Sequence, residues 1–172
     1  MRCAWFLTAM LAAAECCAAA EFPLKVPFYS QKEDGCGAAS VTMVMHYWSR
    51  RPGAAILEKP SAEEVYAQLY RPQQTGVLLA DMRMYLEQAR FRAYTFRGGW
   101  RDIEEHVGRG RPLIVSLRKG PKKPLHFVVV TGAGGGSLWV NDPTRKKPHK
   151  IKRASFEKEW AMGGQWILLA TP

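Results

Sequence analysis

Cys36 lies in the run Gln31-Lys-Glu-Asp-Gly-Cys36-Gly-Ala-Ala-Ser, directly ahead of an apolar stretch with helical character. The unpaired N–H groups of a first helical turn favour negative charge and stabilise a thiolate, so a cysteine placed there is equipped to act as a nucleophile. Gly37 would leave room for a substrate to approach. A small, inert core cysteine is the competing reading of this window taken alone. A nucleophilic thiol also needs a base within hydrogen-bond reach and a third group that orients the base. Of the four histidines, His46 falls on the same expected helix, roughly 15 Å away at 1.5 Å per residue, too far to serve. His106 sits in a charged helical patch and His149 in a lysine-rich loop. His126 opens the run His126-Phe-Val-Val-Val, where a strand could aim an imidazole at a fixed point. It shares a strand face with Val128 and Val130. The following strand, across a glycine turn, ends in Asn141-Asp142-Pro143. Antiparallel pairing would bring acid and imidazole to one sheet edge, with Asp142 accepting from one ring nitrogen and leaving the other for the thiol proton. Read alone, Asp142 only starts an Asp-Pro turn. Gln31 completes the set, since its amide N–H and the backbone N–H of Cys36 could bind the oxyanion of an attacked carbonyl.

The elements that must position these groups fall into two blocks. Ala38 to Trp48 is apolar all round, as in a helix buried through the middle of a domain. Ser61-Ala-Glu-Glu64 reads as a capping box opening a helix to about Tyr70, and a further helix is expected over 78–89. After Arg90 the texture changes to short β-branched and aromatic runs, at 91–96, 113–117, 125–132, 137–141 and 165–170, with helical patches near 101–108 and 155–160. Gly134-Gly-Gly136 suggests a hairpin, and the Gly-Gly pairs at 98–99 and 163–164 read as turns. Helices followed by strands around one core indicate an α+β domain.

Cys3, Cys16 and Cys17 all fall in the first twenty residues, around an apolar run from Ala4 to Ala14 that follows Arg2 and precedes Ala18-Ala19-Ala20. The run is too short to span a bilayer and has the form of a secretory signal peptide cleaved near Ala20. Acylation of Cys16 or Cys17 fits less well, because Glu15 and Cys16 occupy places that a small residue would take. The expected organisation is a signal peptide over 1–20 and one domain over 21–172, periplasmic or secreted, without a membrane span. About 150 residues suffice for a real core. A single thiol kept in an oxidising compartment is a candidate reactive group.

The formal net charge is +10, concentrated between Arg118 and Arg153. Such runs read either as solvated loops or as surfaces drawing anionic lipid, cell-wall polymer or acidic substrate. The loop Arg118-Lys-Gly-Pro-Lys122-Lys123 precedes His126 closely. It is expected to border a cleft, which makes Lys122 and Lys123 candidate substrate contacts alongside Gly37. Export and the lack of a reader motif argue against nucleic acid. One thiol and four scattered histidines offer no metal-ligand spacing, and no cofactor is expected.

In the order Gln31, Cys36-Gly37, His126, Asp142-Pro143, the chain resembles the papain-like cysteine peptidases of the bacteriocin-processing family, which trim double-glycine leader peptides. The likeness runs from about Val26 to the end and takes in the VPFYSQ lead-in, the Cys-Gly pair opening a long apolar helix, Gly-Arg-Pro-Leu-Ile-Val, and His-Phe-Val-Val-Val. Residues 50 to 110 carry nothing diagnostic. The resemblance implies a papain-like fold, N-terminal helices packed on a C-terminal antiparallel sheet. It implies Cys36 as nucleophile, His126 as general base and then acid, Asp142 as its orienter, and Gln31 in the oxyanion hole. In transporter members this domain precedes a membrane span and an ATPase. Here the chain stops at Pro172 after an apparent export signal, so the expectation is a free-standing exported peptidase acting on peptides or unfolded proteins. Two alternatives stay open: a thiol amidase or acyl transferase working on cell-wall peptides, and a basic binding module that keeps the fold without the chemistry.

Overall fold

Helix α1 (Cys36–Trp48) is buried from Cys36 through Tyr47, which accounts for apolar residues on every side of it. The computed structural model describes residues 23–52, 58–74 and 76–172, so the expected signal peptide over 1–20 lies outside the described residues. After α1 come α2 (Ala62–Leu69), a short 3₁₀ turn (Pro72–Gln74), α3 (Leu79–Gln88), β1 (Arg92–Arg97), α4 (Trp100–Gly108), β2 (Leu113–Leu117), β3 (His126–Gly134), β4 (Ser137–Asn141), β5 (His149–Lys152), α5 (Arg153–Met162) and β6 (Trp166–Thr171). The capping box is present at α2. Ser61 Oγ accepts from the Glu64 N–H at 3.2 Å, and Glu64 Oε2 accepts from the Ser61 N–H at 2.7 Å.

The strands form one antiparallel sheet in the order β1-β6-β2-β3-β4-β5. Both of its faces are covered, so β2 and β3 read as nearly continuous apolar runs rather than alternating ones. Phe127, Val129, Ile114, Leu168 and Ala170 meet α1, α2 and α3 on one side. Val128, Val130, Val115, Ile167 and Leu169 meet Phe156 and Trp160 of α5 and Ile103 and Val107 of α4 on the other. Helices on both faces are a refinement of the expected layering, in which only the N-terminal helices were placed. The helical patches near 101–108 and 155–160 supply the second layer; burial of Phe156 and Trp160 there contributes ~1.5–3 kcal/mol each.

One expectation is corrected at the sheet edge. The segment read as a lysine-rich loop around His149 contains β5, paired with β4 from Val140↔His149 to Ser137↔Lys152. Lysines facing water mask the strand, and only Ile151 reaches the core. Among the described residues, no helix is long and apolar enough to cross a membrane.

Candidate active site

Three distant stretches of chain converge where α1 meets the beginning of β3. Gly35 N-caps α1 and bonds back to the Lys32 carbonyl at 2.9 Å. A Cβ at Gly35 would sit 2.6 Å from the Tyr66 ring of α2, so the tight approach that presents Cys36 needs glycine there. Cys36 is the first residue of the helix and is only 8% exposed. The Phe127 N–H donates to its Sγ at 3.4 Å, and Ser40 Oγ donates to the Phe127 carbonyl at 3.4 Å. The head of α1 is thereby docked on β3 one residue after His126.

Sheet register delivers the acid. Val130 pairs with Val140 and Val129 with Asn141, so continuing the ladder puts Asp142 on the same face as His126. His126 Nε2–H donates to Asp142 Oδ1 at 2.7 Å, and the imidazole lines the same cleft as Cys36. With Nε2 engaged by the acid, Nδ1 is the nitrogen left for the thiol. Burial disfavours the imidazolium, but the hydrogen bond to Asp142 and the neighbouring Cys36 outweigh it and raise His126 from 6.5 to about 9. Burial likewise disfavours the Asp142 carboxylate, yet hydrogen bonds from His126 and Thr144 hold it well below the usual carboxylate range. At neutral pH the pair is therefore imidazolium and carboxylate.

Thr144 and Asn141 were not singled out by sequence reasoning. The Thr144 hydroxyl and N–H donate to Asp142 Oδ1 at 2.7 and 3.0 Å. The signal for this was available, since an Asp followed two residues later by Thr forms an Asx turn that also ties down the acid. Asn141, buried at the end of β4, donates to the carbonyls of Val26 and Pro27 at 3.3 and 3.4 Å. Its role depends on a segment more than a hundred residues away and had no local signal. Together with the Gln31 N–H, which donates to the Pro143 carbonyl at 3.0 Å, it lays the lead-in segment beside the site. Between those two anchors the lead-in is held by His46, which accepts from Tyr29 OH at 2.7 Å and donates to the Pro60 carbonyl at 2.8 Å. Burial keeps His46 below its ordinary value, and its role here is structural.

A cleft of about 880 Å³ runs across Cys36 and His126. Gln31, Thr144, the run from Val77 to Ala80, Ser116, Phe127 and Trp166 line it with them. Gln31 Nε2 donates to the Glu33 carbonyl at 2.5 Å, and its Oε1 is buried without a partner among the described residues. One amide hydrogen is thus committed and one remains. Arg118, Lys119 and Lys123 reach the cleft, as expected of this loop, but Lys122 is exposed and does not line it. Gly37 is also corrected as a substrate contact. It is buried away from the cleft, and a Cβ there would meet Val77 and Met82 at 2.8 and 2.9 Å, so the glycine serves the packing of α1 on the start of α3.

Asp142→Asn keeps an oxygen for Thr144 and for His126 Nε2–H while removing the charge. The imidazolium, held to about pH 9 in the wild type, is expected to lose its proton about one to three units lower in this variant, read by NMR titration of the ring. An unmoved titration would show that Asp142 does not set the charge state of His126.

A model of the Peptidase_C39 like family matches residues 23–166. Among curated proteins, the lactococcin-G-processing and transport ATP-binding protein LagD of Lactococcus lactis subsp. lactis is 25% identical over 140 residues, 80% of this chain. The chain spans only 18% of the length of that relative. Among solved structures, the peptidase domain of Streptococcus ComA, a bi-functional ABC transporter, superposes with a TM-score of 0.70 at 18% identity, over 86% of this chain and 98% of that one. A double glycine motif protease from an AMS/PCAT transporter, in complex with the leader peptide, gives 0.67 at 23% identity over 90% and 96%. A C39-like peptidase from Bacillus anthracis gives 0.67 at 17% identity over 86% and 96%. These matches establish the papain-like peptidase fold. They also overturn the expected export to the periplasm or the medium, because LagD and the two transporter-derived domains belong to transport proteins rather than exported enzymes.

Proposed function

The chain belongs to the Peptidase_C39 like family and is a cysteine peptidase, and from that premise we propose that it hydrolyses peptide bonds through an acyl-enzyme on Cys36. The observation that carries this reading is a single imidazole, His126, hydrogen-bonded to Asp142 at 2.7 Å and lining one cleft with Cys36, whose Sγ is held by the N–H of the next residue, Phe127, at 3.4 Å. In the proposed cycle the Cys36 thiolate, paired with the His126 imidazolium, adds to the scissile carbonyl. The oxyanion is bound by the Cys36 backbone N–H and the uncommitted amide hydrogen of Gln31. As the C–N bond breaks, His126 gives its proton to the departing amine and leaves a thioester. His126 then takes a proton from water, whose oxygen attacks the thioester; the acid departs and the thiolate–imidazolium pair is restored. Asp142 and Thr144 hold the ring in register throughout.

The substrate we assign is a peptide, drawn through the cleft as an extended segment. A relative bound to a leader peptide supports that class. So do Leu78 and Leu125, 42% and 39% exposed at the cleft, as grips for apolar side chains. Residues 21–172 would carry the catalytic domain.

The test is the rate of Cys36 alkylation by iodoacetamide between about pH 4 and 9, in the wild type and in His126→Ala. An ion pair predicts a rate at pH 6 within about tenfold of that at pH 9, whereas in the variant the rate falls far more steeply over the same range. Identical profiles in both proteins would mean that the thiol and the imidazole do not act together, and the peptidase reading would fall.

A further inference from the structure

On the Asp142 side of His126 lies a second recess of about 280 Å³, whose basic lining comes from Lys119, Arg145, Lys150 and Lys152. His126 and Lys119 line both this recess and the catalytic cleft, whereas Cys36 lines only the cleft and Asp142 only the recess. The imidazole is therefore the partition between them, and Lys119 stands on the shared rim. Two acids also face the recess, Asp142 and Glu159. Asp142 is committed to His126 and Thr144, with Arg145 Nε 3.8 Å from its second oxygen. Among the described residues, Lys119, Lys150 and Lys152 have no carboxylate partner, though Lys150 Nζ rests over the Trp139 ring at 4.6 Å. Two buried polar atoms close by lack partners among those residues: His149 Nδ1 in the recess, and Arg118 Nε beside Lys119 in the cleft. Burial, then the charge of Arg145, keeps His149 below its ordinary value, so the ring is neutral and adds no cation of its own.

Resting on the thiol-peptidase reading above, we propose that this recess is a subsite for an acidic side chain, Asp or Glu, on the leaving-group side of the scissile bond. The argument is one of direction. His126 delivers its proton to the leaving amine, so the departing chain begins at the imidazole and runs away from the acyl carbon on Cys36. That course leads over Lys119 into the recess. A carboxylate arriving there supplies acceptors for lysines without carboxylate partners, in charge-assisted hydrogen bonds that are stronger than neutral ones. The net charge of +10 would draw acidic peptides to the whole molecule. The recess adds a preference tied to one side of the cut.

The experiment uses internally quenched peptides that share one cleavage sequence and carry Glu, Gln or Lys either within the three positions after the scissile bond or within the three before it. Values of kcat/KM are compared for the wild type and for the double charge reversal Lys119→Glu/Lys152→Glu. In the wild type, Glu after the bond is expected to exceed Gln about tenfold in low salt, with less than about threefold preference before the bond, and the advantage shrinks as salt screens it. The double variant reverses the order, with Lys above Glu. Equal rates for all residues after the bond, equal preference on both sides, or a preference unchanged in the double variant would each overturn the subsite while leaving the peptidase intact. Failure of the wild type to cut any of the peptides, together with a slowly alkylated Cys36, would instead overturn the peptidase reading, and the subsite with it.

Discussion

Replacing His126 by alanine is expected to lower kcat/KM on the order of 10⁴-fold while leaving the protein folded. Two losses compound in this variant. Cys36 loses the imidazolium that stabilises its thiolate, and the leaving amine loses its proton donor. Phe127 N–H still reaches Sγ, and that contact lies in the β3 backbone, so part of the thiol's environment survives and sets the residual rate. Thr144 still satisfies Asp142 Oδ1 through two donors, which is why the fold should tolerate the change. The pH dependence of stability reports the same group independently. A histidine raised from 6.5 to about 9 by folding contributes stability that is fully present below its unfolded value and is lost as pH rises through about 9. The wild type should therefore lose stability between about pH 6.5 and 9 by an amount that His126→Ala does not lose. Retention of more than about a tenth of the wild-type kcat/KM, or parallel stability profiles for the two proteins, would remove His126 from its proposed role.

Gly163→Ala is expected to destabilise the fold by about 3 kcal/mol, lowering Tm by roughly 6–12 °C for a chain of this size. A Cβ at this position would lie 2.3 Å from the Ser116 carbonyl oxygen and 2.9 Å from its carbon. Those are backbone atoms of β2 and cannot rotate aside. The same junction carries the Ser116 Oγ bond to the Gly163 carbonyl at 3.0 Å and the Arg118 N–H bond to the Glu159 carbonyl at 2.9 Å. Pushing α5 from β2 therefore also disturbs Leu117, the register partner of His126, and activity should fall with stability. Gly134→Ala is the control, since a Cβ there would meet nothing within 4 Å and its φ is ordinary. Thermal melts of the two variants decide the matter, and similar Tm values would show that the α5–β2 approach relaxes at little cost.

Gly163 also shows where the sequence stops being informative. The pair 163–164 reads as a turn, which describes Gly164 with its φ of +85°. Gly163 has an ordinary φ, and its need for glycine comes from a strand some fifty residues earlier in the chain. Gly37 is a parallel case. Beside a nucleophile it reads as clearance for a substrate, yet Val77 and Met82 are what it clears. A glycine signals close approach, but what approaches is a tertiary fact.

That Cys36, His126, Asp142 and Gln31 come together was legible because each is tied to a local pattern with a chemical consequence: a thiol at a helix start, a histidine opening an apolar strand, an Asp-Pro closing the next, a glutamine in the lead-in. The helix–strand order was legible because period and β-branched composition are local properties. By itself, then, the sequence determined most of the elements, the α+β class and the residue types able to form a thiol site. It could not reveal β5, whose outward lysines disguise a strand held by pairing with β4, nor the second helical layer that buries both faces of the sheet. Only the tertiary structure decided that Lys119 and not Lys122 stands at the cleft, that Asn141 and Thr144 hold the lead-in and the acid, and that cations from three separate segments gather behind His126. The physical reason is the range of the interactions. Helix capping, strand alternation and turn chemistry are settled within a few residues, whereas ladder register and layer packing join residues many tens of positions apart, and the charge state of His126 is set across those joins.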